Sequence, residues 1–556
     1  MNNPSDKISS CGWMWTALAL TAFKLWLTRA QPIYAIGPAA HDERLFLQLA
    51  SHIVKGEWLG PYTQMTLAKG SFYSLFVAVI FWIGLPLFFA QQLLYAGACA
   101  AFARATSPAI KSAGARFLIY AFLLWNPMTY EAPTMGRVMR QHVYTPLGIL
   151  IFAGLVALYY RRSEPFRSQV AWAALLGFSL GGFWLTREES IWLAPSFFLL
   201  VATWITGVFR AEKKSRSALW RSASVVTVFA VLPVIFVCWQ NYRHYGWFCT
   251  SEFHATPFEN AYGALVRVNI GPELAQVPVT RQAREAMYAV SPTFAQLKPF
   301  LDGQIGTDWA EKEMYPVAER QIRGGWFVWA LRDCVIASGH GRSAGEAMGF
   351  YRRVASEINQ ACDDGRLPAR SRRSGFAPVL HQGEAAAIMH TFFSFLDFVV
   401  NFRSFNVLPP LSIGDDSDLQ LFRDMTRDRL SVSERGTNFS YPDQEALDRR
   451  KFTILDQVGK KLISSLVVMF YVAIVLVLVR SVQLALSRQL TFPFILSLAA
   501  LGGVFAYLLI NAVVHVTSFP LTAVSTFSPI YPLLMMFMTA IIWDAASAWL
   551  GSRKQS

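Results

Sequence analysis

LISSLVVMFYVAIVLVLV, residues 462–479, carries no charged side chain, and Lys460-Lys461 and Arg480 close it at either end. As a helix, a run of this length nearly crosses the hydrocarbon of a bilayer, and the cations at its ends reach the headgroups. With its flanks it defines a span at about 460–480. Comparable runs fall at about 12–30, 86–105, 116–130, 143–160, 169–186, 190–209, 222–241, 490–516 and 527–549, so that about ten transmembrane helices are expected. The composition agrees. Of 556 residues, 54% are hydrophobic and 15% charged, whereas soluble domains carry about 25% charge. A net charge of +14 would point to nucleic acid in a soluble protein. Here much of that charge sits in short loops between apolar runs, so no nucleic-acid partner is implied.

The basic residues also orient the bundle. The apolar stretch 71–106 is too long for one straight span and is broken at Gly84-Leu85-Pro86. Reading 71–84 as a segment dipping into one leaflet and 86–105 as the span places five basic clusters on one side. They are Arg104, Lys111 and Arg116; Arg161, Arg162 and Arg167; Arg210, Lys213, Lys214, Arg216 and Arg221; Arg480 and Arg488; and Arg553 and Lys554. The positive-inside rule makes that side cytoplasmic. Residues 242–455 then form an extracytoplasmic insert of domain size between two transmembrane regions, 1–241 and 456–556. Apolar residues in the insert recur at helical spacing, as Phe327, Ala330, Leu331 and Val335 do, so it is expected to be mostly helical. Cys11, Cys99 and Cys238 lie in or beside spans. Cys249, Cys334 and Cys362 lie in the insert, where Cys334–Cys362 is the candidate bridge if that face is oxidising.

On this topology the polar residues of interest gather on the outer face. His41-Asp42-Glu43 opens an amphipathic stretch with Leu45, Phe46, Leu49 and Ile53 at helical spacing. Acidic residues there complement the helix dipole. A carboxylate held at the membrane surface also has the chemistry of a general base. Lys69, ahead of Gly70 and an aromatic run, is either a lysine snorkelling to headgroups or a cation for a phosphate. Arg137, Arg140, Gln141 and His142 follow the third span, and two arginines three apart can clamp a phosphate from one helical face. Arg187, Glu188 and Glu189 end the fifth span as an ion pair or as a substrate-binding group. Within the insert, Glu252, His254, Glu259, Arg267, Arg332, Asp333, His340, Tyr351 and Glu357 are candidates of the kind any polar domain offers. There is no HExxH, P-loop, GxSxG or Rossmann glycine pattern. No cofactor is called for, and a divalent ion on His41 and Asp42 is the one metal option.

These segments resemble the GT-C superfamily of membrane glycosyltransferases, which includes the aminoarabinose transferase of lipid A and the protein O-mannosyltransferases. The family has an acid in the first outer loop, which HDERLFLQLA matches with Asp42 and Glu43, and a lysine before an aromatic segment, as in LAKGSFYSLF with Lys69. WNPMTYEAPTMGRVMRQHVY keeps the Asn126-Pro127 and Arg137 of the following family segment, and STFSPIYPLL keeps Pro529, Tyr531 and Pro532 near the end. Gln141 or His142 stands where a second acid is expected, with Glu131 nearby, and Thr526-Phe527 replaces a terminal arginine-tyrosine. The resemblance implies a GT-C-like core in a plasma (inner) membrane, with the insert on the periplasmic or extracellular side. It implies transfer of a sugar from a polyprenyl-phosphate donor to a glycan, lipid or protein acceptor. Asp42 and Glu43 would be the catalytic carboxylates; Lys69, Arg137, Arg140, His142, Arg187, Glu188 and Glu189 would bind substrate. A non-catalytic scaffold of the same fold and a transporter or flippase are the alternatives.

Overall fold

The computed structural model describes residues 4–553, apart from 188, 211–212, 311–319, 374–377, 379, 433–441, 488–489 and 522. Among these residues the regular structure is helical, and the only β-type pairings are isolated bridges. Among the described residues, seven helices are long and apolar enough to cross a membrane: Gln141–Tyr160, Phe166–Thr186, Ser190–Phe209, Arg216–Tyr245, Gln444–Ser487, Phe492–Thr517 and Ser525–Leu550. The pair Phe72–Ile83 and Leu87–Ala105 is bent by 109° and adds an eighth if read as one broken span. The bend follows from the sequence: Gly84 ends the first helix in the left-handed region at φ 84°, and Pro86 starts the second.

Among the described residues, length and composition thus give seven or eight spans where about ten are expected. The span expected at 116–130 is only the 12-residue helix Ala113–Leu124. Pro127 follows it, and the Asn126 side chain accepts from the backbone N–H of Met128, which starts a new turn. Lys24, buried in the helix Pro4–Thr28, donates to the Leu124 carbonyl and to Thr129 Oγ1, both at 2.7 Å. A polar partner for the helix end thus comes from another helix.

Burial sorts the spans. Gln141–Tyr160 has 83% of its apolar window buried and runs through the middle of the bundle, whereas Arg216–Tyr245 and Gln444–Ser487 have 17% each. The latter two present Val228, Leu232, Ile235 and Phe236, and Val468, Val475, Leu478 and Val482, on their exposed faces. Such faces suit lipid contact, and the chain is a multi-pass membrane protein. The basic loops meet at one end: Arg161 donates to the Ala105 carbonyl at 3.1 Å, Ser222 to Gln169 at 3.1 Å, and Arg480 pairs with Asp544 at 2.7 Å. Arg488 and Lys554 lie outside the described residues.

At the other end the insert forms a second apolar cluster around Phe258, Leu265, Phe294, Phe327, Met348 and Ile358. Its last part turns back onto the bundle. The helix Glu384–Val400 packs on Phe492–Thr517 through Phe392 on Phe505 and Phe395 on His515. Bridges join Ile33 to Leu430 and Ile36 to Ile413. Cys334 and Cys362 are both free and buried, so the expected bridge between them is not formed. Each packs as a small apolar side chain in the second cluster.

Candidate functional site

The helix Glu43–Val54 buries Leu45, Phe46, Leu49 and Ile53, as its spacing predicted, and lies against Phe72–Ile83 with Phe46 edge-on to Tyr73 at 5.3 Å. Asp42 occupies the helix's N-cap position, but its side chain makes no capping bond. It forms an ion pair with Lys69 instead. Two backbone features fix Lys69. Gly70 lies so close to the end of Phe166–Thr186 that a Cβ there would come within 2.1 Å of the Leu185 carbonyl oxygen. Leu67 is held in the left-handed region at φ 61°, its carbonyl accepting from the Glu252 N–H at 2.8 Å.

Around this pair opens a cavity of about 740 Å³, within the size range of small-molecule sites. Asp42, Lys69, Arg140, Arg187 and Glu189 line it from the membrane side. Lys69 Nζ and the Arg140 guanidinium both approach the Phe46 ring, at 5.4 and 5.6 Å from its centre. Arg140 donates to the Thr186 carbonyl at 3.0 Å. Arg187 pairs with Glu189 and lies 5.6 Å from the Tyr144 ring centre. Glu188 lies outside the described residues. No group of three or more His, Cys, Asp or Glu that could hold a metal occurs among the described residues.

Three expected site residues, Glu43, Arg137 and His142, do not line the cavity. Glu43 is fully buried and pairs with Arg137. His142 is also buried, with Nε2 2.7 Å from the Arg137 carbonyl, so this nitrogen carries the proton and holds the Arg137 turn. Gln141, which with His142 stands where the second acid is expected, donates to the Ser525 carbonyl at 2.8 Å and ties this segment to the C-terminal region.

Charge separates the two neighbouring carboxyls. Burial raises the Asp42 carboxyl, but Lys69, with Arg140 and Arg137, more than reverses this and leaves it below its ordinary value. For Glu43 burial outweighs Arg137, and the carboxyl is raised. Asp42 is thus the ionised, accessible carboxylate. Burial, reinforced by Lys69, pushes His41 down to about 4, which keeps its ring neutral.

The insert supplies the opposite wall. Its helix Gly324–Val335 brings Trp326 and Trp329 to the cavity. Lys69 Nζ lies 5.8 Å from the Trp329 ring centre. Trp309 stacks against both tryptophans, at 6.1 and 6.4 Å, and His41 sits edge-on between Trp309 and Trp329, 4.8 Å from each.

No protein-family model matches the chain, and no curated protein sequence matches it. Among solved structures it is similar to ArnT from Cupriavidus metallidurans. The apo form aligns over 95% of this chain and 77% of that one, at 12% identity and a TM-score of 0.31. The form bound to undecaprenyl phosphate aligns over 96% and 79%, at 14% identity and a TM-score of 0.31. The overlap is too loose to transfer a residue from one chain to the other.

One further feature was among the insert's candidates without a role. Arg332 is fully buried, pairs with Glu252 at 2.7 Å and donates to the carbonyls of Thr63, Gln64 and Thr66. Tyr62 donates to the other Glu252 oxygen at 2.5 Å. The insert therefore grips the loop that presents Lys69. The tryptophans were not foreseen; Trp326 and Trp329, three apart on one helix, were the available signal.

Proposed function

We propose that the chain is a membrane glycosyltransferase that moves a sugar from a polyprenyl-phosphate-linked donor to an extracytoplasmic acceptor. The observation that carries this reading is the cavity that gathers Asp42, Lys69, Arg140, Arg187 and Glu189 at the insert end of the bundle. A carboxylate beside three cations suits a reaction in which a hydroxyl attacks while a phosphate departs.

In the free protein Asp42 is held by Lys69. The donor phosphate competes for the same cation, so its arrival moves Lys69 from carboxylate to phosphate and frees Asp42. Arg140 and Arg187 complete the phosphate cradle. As the acceptor oxygen bonds to the anomeric carbon, its proton passes to Asp42. The sugar–phosphate bond breaks, and its electron pair stays on the departing phosphate, where the cations offset the charge. Attack opposite the leaving group inverts the anomeric centre. Ile191, Ile510 and Val514, which line the same cavity, offer an apolar exit for the polyprenyl chain. Glu43 acts behind this set by holding Arg137, and His142 supports the same turn. The basic loops at the far end support a plasma-membrane orientation with the insert outside.

The test is transfer of radiolabelled sugar from a panel of polyprenyl-phosphate sugars in membranes that carry the protein, against membranes without it. The reading predicts label in a product separable from the lipid donor. No protein-dependent transfer from any donor would sink it.

A further inference from the structure

Resting on the transferase reading, the insert side of the cavity bears on what the acceptor is. Beginning at Lys69, aromatic rings run outward: Trp329, then Trp309, then Trp326, and finally Phe519, 5.5 Å from Trp326. Trp329 is 8% exposed and backs the wall, while Trp326 is 38% exposed within a cavity, a poor place for an indole unless a ligand covers it. The arrangement is built from distant segments. Gly325 allows Phe519 to close in, since a Cβ there would meet the Phe519 ring at 2.2 Å. Gln276 donates to the His515 carbonyl at 2.6 Å and its own carbonyl accepts from the Gly324 N–H at 2.8 Å, fixing the start of the tryptophan helix against the last part of the bundle.

The charge of the lining is divided. Among the described lining residues, the membrane side sets Lys69, Arg140 and Arg187 against Asp42 and Glu189, whereas the insert side sets Glu259, Glu273 and Glu384 against Arg370, with His254 beside Glu259 at 3.8 Å and His381 beside Glu273 at 3.1 Å. A phosphate is favoured at the first and disfavoured at the second. The insert side suits a molecule with flat C–H faces for the indoles and many hydroxyls for the carboxylates, without negative charge of its own. No strand edge borders the cavity among the described residues, so an extended peptide has no ladder to join.

We infer that the tryptophan wall of the insert is an acceptor subsite for a non-anionic carbohydrate, presented with a hydroxyl toward Asp42. Phosphorylated headgroups and acidic peptides are excluded from it by charge.

The experiment uses the purified full chain in detergent, without donor, on a printed array of neutral, amino, uronic, sulfated and phosphorylated glycans. Binding concentrated on neutral or amino glycans is expected. Trp326→Ala should reduce it about tenfold, the loss of one stacking face, while Trp326→Phe, which keeps a ring, should retain most of it. An array with no glycan bound, a preference for anionic glycans, or equal binding by Trp326→Ala and wild type would overturn the inference. Binding here needs no transfer. Asp42-dependent transfer with an empty array would leave the transferase reading standing and reject a carbohydrate acceptor; array binding without transfer from any donor would do the reverse.

Discussion

Replacing Arg332 by methionine, which keeps length and apolar bulk, should loosen the loop that carries Lys69. Arg332 and Glu252 have side-chain exposures of 1% and 0%, so removing the cation leaves a carboxylate buried with only the Tyr62 hydroxyl as its partner. The carbonyls of Thr63, Gln64 and Thr66 lose their charged donor as well. Breaking a buried pair from one side costs about 3–5 kcal/mol, mostly as the penalty on the charge left behind. Removing both partners in Arg332→Met/Glu252→Met should therefore be less damaging than the sum of the two single changes, with a coupling of about 2 kcal/mol. The assay is urea unfolding of the full chain in one detergent, wild type and all three variants, followed by near-ultraviolet circular dichroism. A second readout separates this role from simple stability: below its unfolding range, Arg332→Met should raise the donor KM, because the loop it grips ends at Lys69. Single changes that each cost under about 1 kcal/mol, or a double change equal to their sum, would refute the clamp.

Other outcomes follow from the same geometry. Lys69→Met should weaken donor binding about 10- to 100-fold, the worth of one charge-assisted contact to phosphate, as measured by donor titration. Gly70→Ala should cost about 1–3 kcal/mol in midpoint stability and reduce donor affinity, because its Cβ would meet backbone of Leu185 rather than a yielding side chain. Glu131, buried and capping Thr134 at 2.8 Å, has its carboxyl pushed up to about 7 by burial. Its folded value lies above the unfolded one, so its contribution is full below about pH 4.5 and is lost as pH rises through about 7. Glu131→Gln should accordingly stabilise the protein at pH 8 and lose that advantage at pH 4, as melting at the two pH values would show.

The spans were legible because a bilayer demands an uninterrupted apolar run, and the sequence supplies or withholds it locally. The bend at Gly84-Leu85-Pro86 was legible for the same reason, since both residue types act on their own backbone. The short helix at Ala113–Leu124 was not. Asn126-Pro127 mark its end locally, but the donor that satisfies that end, Lys24, comes from the helix Pro4–Thr28, and no local pattern announces it. At the site, Asp42 and Lys69 stood out as charges beside apolar helices, and the structure brings them together. Arg137 carried the same signal but is taken by Glu43, and only the fold distinguishes a cation that lines the cavity from one that supports it. The tryptophan wall was hidden because Trp326 and Trp329 sit in a helix that otherwise reads as interior, and Phe519 reaches them from the far side of the sequence.

The account rests on Asp42 as the base that Lys69 releases. The decisive measurement is sugar transfer by wild type and Asp42→Asn, with donor binding measured on the same two proteins. Transfer should fall by about 10²- to 10⁴-fold while the donor still binds, because asparagine keeps the shape and loses the proton acceptor. Transfer that proceeds at the wild-type rate in Asp42→Asn would contradict the mechanism and leave the cavity as a binding site without chemistry.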